Sequence, residues 1–270
     1  MTETITSLQN PRVKDAVKLR DRGRREEQGR FLIEGVRELQ RAVEAGIVID
    51  EAFVCEAHCR SAECRQLVDQ LLASSSRVYL VSAAVFEKLA FGQRSEGLLA
   101  IAVTPQAVLA DLQLPDATLV AVLEGVEKPG NAGAVLRTAD AAGVSALVLA
   151  GGGTDIYNPN TIRASLGAVF TIPVCRAESP ETLKWLQSRG LQVVAAKVDG
   201  KVAYTDVDWL RPTAIVLGSE AHGLSPVWND SAVTSIKVPM CGRVDSLNVS
   251  ATAAVLFYEA LRQRTQNVSR

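Results

Sequence analysis

The sequence predicts an α/β protein in two parts. Short β-branched runs alternate with amphipathic helical stretches along most of the 270 residues, the order that lays helices over a sheet. Runs such as Ala214-Ile215-Val216-Leu217 are apolar at every position, which predicts a sheet covered on both faces, as parallel sheets are. Between residues 104 and 117 the pattern weakens, and Pro105 and Pro115 bracket a short stretch that reads as a linker. The expected domains are a small α/β domain over 1–104, a linker over 105–116, and a Rossmann-like parallel-sheet domain over 117–270.

In the first domain, residues 8–25 read as a helix, 31–33 as a strand, and 34–45 as an amphipathic helix with Val36, Leu39, Ala42 and Val43 on one face, ended by Gly46. Strands at 52–54, 78–81 and 98–103 then alternate with helices at 62–72 and 83–90. The second domain opens with a strand at 118–123, a helix at 132–142, a strand at 146–149, a loop to 159, a helix at 160–166 and a strand at 168–172. A helix at 180–188, strands at 192–197, 213–217 and 235–238, and a helix at 251–264 complete it.

Composition excludes several classes. Hydrophobic residues make up 47% and charged residues 22%, enough apolar matter for a real core. No apolar run reaches the ~18 residues of a membrane span, and residues 1–30 lack the apolar centre of a signal peptide. The net charge of −1 argues against a uniformly basic surface, but the distribution is uneven. Arg12, Lys14, Lys18, Arg20, Arg22, Arg24, Arg25 and Arg30 face only Asp15, Asp21, Glu26 and Glu27; a solvated helix face and an RNA contact explain such a segment equally well. The cysteines, without a secretory segment, point to a reducing cytoplasm and no disulfide framework. Cys55, His58, Cys59 and Cys64 lack paired C-x-x-C spacing and have no second cluster, so no metal centre is expected.

Three stretches put a polar, glycine-containing turn directly after an apolar run, the usual ligand position at the carboxyl edge of an α/β sheet. They are Leu123-Glu124-Gly125-Val126-Glu127-Lys128-Pro129-Gly130-Asn131 running on to Arg137, then Leu217-Gly218-Ser219-Glu220-Ala221-His222-Gly223, and Val238-Pro239-Met240-Cys241-Gly242-Arg243-Val244-Asp245-Ser246-Leu247-Asn248-Val249-Ser250. In the last, Asp245 or Ser246 is placed to cap the helix that follows. Asn131 is placed to cap the helix that carries Arg137. Gly125, Gly130 and Gly133 do not give the G-x-G-x-x-G spacing of a dinucleotide site. With only His58 and His222 present, no nucleophilic triad is arguable, and His222 reads as a pocket-edge group.

Read together and in this order, the three stretches resemble the motifs of the SPOUT methyltransferases, in the TrmH/SpoU branch that methylates ribose 2′-hydroxyls of ribosomal or transfer RNA. The resemblance implies a C-terminal SPOUT domain whose chain closes a deep trefoil knot. It implies S-adenosylmethionine between the second and third loops, held by Leu217, Gly218, Val238, Met240 and Leu247, with Ser246 and Asn248 as polar contacts. The family pattern of Asn, five residues, then Arg falls on Asn131 and Arg137; with Glu220, Ser246 and Asn248 they form the implied catalytic set. Arg137 is then either a clamp on RNA phosphate or a helper in deprotonating the hydroxyl.

The N-terminal half resembles the family's RNA substrate-binding domain through Arg30-Phe31-Leu32-Ile33-Glu34-Gly35 and Gly97-Leu98-Leu99-Ala100. Arg137 and Arg163 are the implied RNA contacts, Arg163 being equally open to a salt bridge within the fold, and Arg22, Arg24, Arg25 and Arg30 of the basic segment are the further candidates. A metal-free cytoplasmic homodimer acting on ribosomal more than transfer RNA is expected. The alternative is a non-catalytic RNA-binding or ribosome-assembly factor that keeps the fold.

Overall fold

In chain order the elements are β1 (Glu3–Ile5), α1 (Pro11–Lys18), α2 (Arg22–Gln28), β2 (Arg30–Glu34), α3 (Val36–Glu44), β3 (Ile49–Val54), α4 (Ala62–Ala73), β4 (Arg77–Val81), α5 (Ala83–Leu89), β5 (Leu98–Val103), β6 (Leu119–Glu124), α6 (Pro129–Ala141), β7 (Ala146–Ala150), α7 (Pro159–Ala164), β8 (Val174–Ala177), α8 (Ser179–Ser188), β9 (Gln192–Ala196), β10 (Val202–Ala203), β11 (Thr213–Leu217), β12 (Val233–Lys237) and α9 (Val249–Val268). The structure, a computed structural model, describes residues 3–92 and 96–268, with side chains to residue 266. Contacts group Met1–Pro105 with Asp155–Thr171 in one unit, and Gln106–Thr154 with Ile172–Arg270 in the other. Residues 155–171, read from the sequence as part of the second domain, thus cluster with the first.

The first unit is a five-stranded mixed sheet in the order β1-β4-β3-β5-β2. Val13, Ala16, Leu32, Phe53, Val85, Phe86 and Leu99 pack into one of its cores. The helix expected over 8–25 is two. Asn10 caps α1 through the Arg12 N–H at 2.9 Å, and Asp21 caps α2 through the Arg24 N–H at 3.1 Å, so two good caps divide a continuous polar pattern.

The strand expected over 168–172 is not one. Leu166 (φ 55°) and Gly167 (φ 85°) turn the chain, and Ala168–Phe170 form a 3₁₀ turn. The Phe31 ring lies 4.5 Å from Tyr157 and 6.0 Å from Phe170. The apolar run is buried as a knuckle, and the strand follows at β8.

Arg25 corrects a second expectation. Its side chain is 4% exposed, donates from Nε to Asp155 Oδ2 at 2.7 Å and from Nη1 to the Leu19 carbonyl at 2.7 Å. It is a packing group of this unit, not a surface contact for RNA. Removing one partner of a buried pair strands the other charge, so Arg25→Ala should cost about 3–5 kcal/mol. Urea unfolding measures it; a loss under about 1 kcal/mol, the level of a surface pair, would contradict the burial.

The cysteines also depart from expectation. The turn before α4 brings the Cα atoms of Cys59 and Cys64 to 5.7 Å, and the two are joined in a disulfide. Cys55, Cys175 and Cys241 are free thiols.

The second unit is a seven-stranded sheet in the order β10-β12-β9-β11-β6-β7-β8, with every pair parallel. Val120, Val122, Val148, Val193, Ala195, Ala214 and Val216 pack on one side with Leu183, Leu186 and Trp228. Helix α9 runs along α6, and Arg264 ties its end to the carbonyls of Ala117, Thr118, Trp209 and Arg211. Strand progression reverses between β6 and β11. At such a switch point the two carboxyl ends leave a crevice.

Candidate active site

Four loops meet at this carboxyl edge: those after β6, β9, β11 and β12. The loop after β11 is a closed ring, in which the Ser219 N–H donates to the Gly223 carbonyl at 3.2 Å and the Gly223 N–H to that of Ser219 at 2.9 Å. A Cβ on Gly218 would strike the Gly223 carbonyl and lie 2.8 Å from the Leu224 nitrogen. Only glycine allows that closure.

Glu220, on this ring, joins the three sequence motifs. Its Oε2 accepts from Lys128 Nζ at 3.0 Å, and its Oε1 accepts from Asn131 Nδ2 at 3.1 Å and from Asn248 Nδ2. Asn248 Nδ2 also donates to Asn131 Oδ1 at 3.3 Å. The Lys128 ammonium, opposed by slight desolvation and helped by Asn131 and the Val249 backbone, holds the Glu220 carboxyl below its usual range. It therefore stays ionised at neutral pH.

Two capping expectations are corrected here. Helix α6 starts earlier than read, at Pro129 with Lys128 as N-cap, so Asn131 lies inside the first turn and its side chain is turned to Glu220. The cap of α9 is Asn248, whose Oδ1 accepts the Ser250 N–H at 2.9 Å and hydroxyl at 2.6 Å, in place of Asp245 or Ser246.

Beside this network lies a cleft of about 430 Å³, within the roughly 300–1,000 Å³ of small-molecule sites. Leu217, Gly218, Glu220, Val238, Met240, Ser246 and Leu247 line it. Asn248 stands at its edge, in the Glu220 network. Sequence reasoning missed Lys197, Asp199, Asp245 and Thr252, which also line it. A signal for Asp199 existed in Asp199-Gly200 after a strand: a Cβ on Gly200 would strike the Ile236 carbonyl, so the chain leaving β9 runs tight against β12.

Lys197 is occupied, its Nζ donating to the Trp228 carbonyl at 2.9 Å and Asn229 Oδ1 at 2.6 Å. The walls of the cleft are apolar, with the carboxylates Asp199, Glu220 and Asp245 and the Lys197 ammonium among them, the mix of apolar surface and a few polar groups that small-molecule sites use.

The arginines are placed less uniformly. Arg137 is exposed on α6, six residues beyond Asn131. In the first unit Arg163 is exposed beside Asn160, its guanidinium 5.9 Å from the Phe91 ring centre. Arg22 and Arg24 pair along their own helix with Glu26 and Glu27, and Arg30 bonds Asp50 and Gln28.

Glu124, at the end of β6, is 7% exposed. Burial pushes its carboxyl up, but hydrogen bonds led by Ser179 and the Ser225 backbone outweigh this and bring it below its ordinary 4.5. A lowered value means the stabilisation is complete above 4.5 and fades as pH falls through the lowered value. Melting temperature should fall more steeply in acid for the wild type than for Glu124→Gln. Parallel curves would refute this.

A parallel α/β sheet carries a cleft at its carboxyl edge, beside the junction of three separated motifs, and the likeness to known families defines the class as the SPOUT RNA methyltransferases. The model of the SpoU rRNA Methylase family matches residues 118–258, and that of the MRM3-like substrate binding domain matches residues 10–100. The chain belongs to the SpoU rRNA methylase family.

It is 30% identical to the 23S rRNA (guanosine(2553)-2′-O)-methyltransferase RlmP of Bacillus subtilis, over 94% of this chain and 97% of that protein. A crystal structure of an RNA 2′-O ribose methyltransferase is 42% identical, with a TM-score of 0.82 over 97% of this chain and 99% of its own. An AdoMet-bound rRNA methyltransferase from Sinorhizobium meliloti is 30% identical, with a TM-score of 0.89 over 97% and 98%.

Proposed function

We propose that this protein is an S-adenosylmethionine-dependent methyltransferase acting on a ribose 2′-hydroxyl of RNA, in ribosomal more than transfer RNA. The observation that carries the reading is the meeting of Asn131, Glu220 and Asn248, one from each motif, beside the cleft. The relatives' 23S rRNA substrates and the AdoMet-bound neighbour support the choice of RNA and cofactor.

Bound in the cleft, S-adenosylmethionine supplies a methyl group activated on a sulfonium. Leu217, Val238, Met240 and Leu247 cover its apolar parts, and the carboxylates favour the cation. Asn131, Glu220 and Asn248 tie the three motif loops together and would position a ribose hydroxyl against the bound cofactor. Arg137, exposed on the same helix as Asn131, clamps an RNA phosphate with its guanidinium fork. Arg163, Arg22, Arg24 and Arg30 extend the RNA contact.

Support for the knot is the return of β12 to the far side of β9, between β9 and β10. Domain limits of 1–104 and 117–270, a symmetric homodimer and a cytoplasmic setting belong to the same reading. Among the described residues no helix is long and apolar enough to cross a membrane.

The test is methyl transfer to ribosomal RNA with labelled S-adenosylmethionine, and mapping of the modified ribose. Arg137→Lys keeps the charge but loses the fork, so the RNA KM should rise about tenfold with S-adenosylmethionine affinity unchanged. Near-normal turnover together with an RNA KM within about twofold of wild type in that variant removes Arg137 from the mechanism, and failure to bind S-adenosylmethionine at millimolar concentration ends the proposal. Sedimentation that finds a monomeric active species removes the dimer.

A further inference from the structure

The ring after β11 is held at one end by its strand. What holds the other end is Glu124. Its Oε2 accepts the Ser225 backbone N–H at 2.6 Å, and its Oε1 accepts the Ser225 hydroxyl at 2.8 Å. Ser179, the first residue of α8, donates its hydroxyl to the same Oε1. One buried carboxylate therefore collects donors from the end of the ring and from the start of a helix.

The approach is tight on the α8 side and in ordinary contact on the ring side. A Cβ on Gly125 would lie 3.7 Å from the Ser219 Cβ, and one on Gly151 would lie 2.8 Å from the Ser179 hydroxyl. Between the two anchors, Leu217 and Ser225, lie Gly218, Ser219, Glu220, Gly223 and Leu224, all of which line the cleft.

We propose that Glu124 is a positioning residue for the cofactor: by fixing Ser225 it sets the width of the cleft and hence the affinity for S-adenosylmethionine. This rests on the assignment of the cleft to that cofactor. Glu124 does not line the cleft, so its effect passes through the ring.

An amide can partly replace the carboxylate. Gln at 124 keeps one oxygen for the Ser225 N–H, and the two serine hydroxyls can turn to accept from its NH₂. Alanine keeps nothing and leaves the Ser225 N–H without its partner. Graded loss is therefore expected.

The experiment measures S-adenosylmethionine affinity by calorimetry, and kcat and KM with RNA, on full-length Glu124→Ala, Glu124→Gln, Ser225→Ala and two controls. Glu124→Ala should weaken the cofactor about tenfold, a change of the size a lost charged hydrogen bond gives, with kcat at saturating cofactor and RNA KM little changed. Glu124→Gln should recover most of the affinity. Ser225→Ala should weaken binding about two- to threefold and add nothing on top of Glu124→Ala; this variant carries the test if Glu124→Ala does not fold.

Phe86→Ala, a core change in the first unit, should lower the melting temperature without changing cofactor affinity. Equal weakening in Phe86→Ala, or unchanged affinity in folded Glu124→Ala, overturns the proposal. Leu247→Arg places a cation in the cleft itself. If cofactor still binds Leu247→Arg normally, the cleft assignment fails; if it does not bind while Glu124→Ala binds normally, only the role of Glu124 falls.

Discussion

Replacing Glu220 with alanine is expected to lower kcat about 100-fold, the loss that misplacement by an ångström produces in a positioned reaction. The carboxylate is the shared acceptor of Lys128, Asn131 and Asn248, so its removal leaves the Asn131 and Asn248 side chains joined by their own longer bond of 3.3 Å and loosens the first turn of α6 against the cap of α9. The site is open to solvent, so water replaces the lost bonds and the fold should melt within a few degrees of the wild type. Glu220→Gln separates geometry from charge. Its amide oxygen still serves both asparagines, while Lys128, 74% exposed, swings into water. Its kcat should therefore lie between those of wild type and Glu220→Ala. The measurement is single-turnover methyl incorporation at saturating RNA and cofactor; a Glu220→Ala enzyme within about threefold of wild type would take Glu220 out of the active arrangement.

The second large effect is expected at Gly218. Its φ is not in the left-handed region, and the reason for glycine there is space: the Gly223 carbonyl and the Leu224 nitrogen, at 2.8 Å, occupy the place of a Cβ. Both obstacles are backbone and cannot rotate away, so the ring must open. Gly218→Ala should weaken S-adenosylmethionine by about 10- to 100-fold, or roughly 1.4–2.8 kcal/mol. Gly223 makes the contrast. It sits at φ +64° with nothing within 4 Å of a Cβ, so Gly223→Ala should cost about 1–2 kcal/mol of conformational strain while leaving the cleft nearly intact. Calorimetry on the two variants decides it, and equal cofactor affinity in both would show that ring closure does not shape the cleft.

Much of this was legible in the chain. The uninterrupted apolar runs at β6, β7, β9 and β11 marked a doubly covered parallel sheet, because alternation would have exposed one face to water. Legible too were the turns after β6, β11 and β12, since a polar glycine turn behind a buried strand has few other uses.

The errors share a cause. Ala168-Val169-Phe170 looked like a strand because burial is all that hydrophobicity reports, and a buried 3₁₀ turn reads the same. Arg25 looked like an RNA contact because a basic run gives no sign of which member turns inward to Asp155. Asn131 looked like a cap because the partner that turns its side chain, Glu220, lies 89 residues away.

The sequence by itself determined most of the element order and the class of sheet, because each follows from local patterning within about ten residues, and it offered the candidate site residues through their resemblance to family motifs. Only the tertiary structure decided which of those residues meet. Glu220 gathers Lys128, Asn131 and Asn248, Glu124 holds Ser225, and Arg25 is spent inside the first unit, since hydrogen bonds and buried charge pairs between distant segments depend on where the backbone brings them and not on their neighbours in the chain.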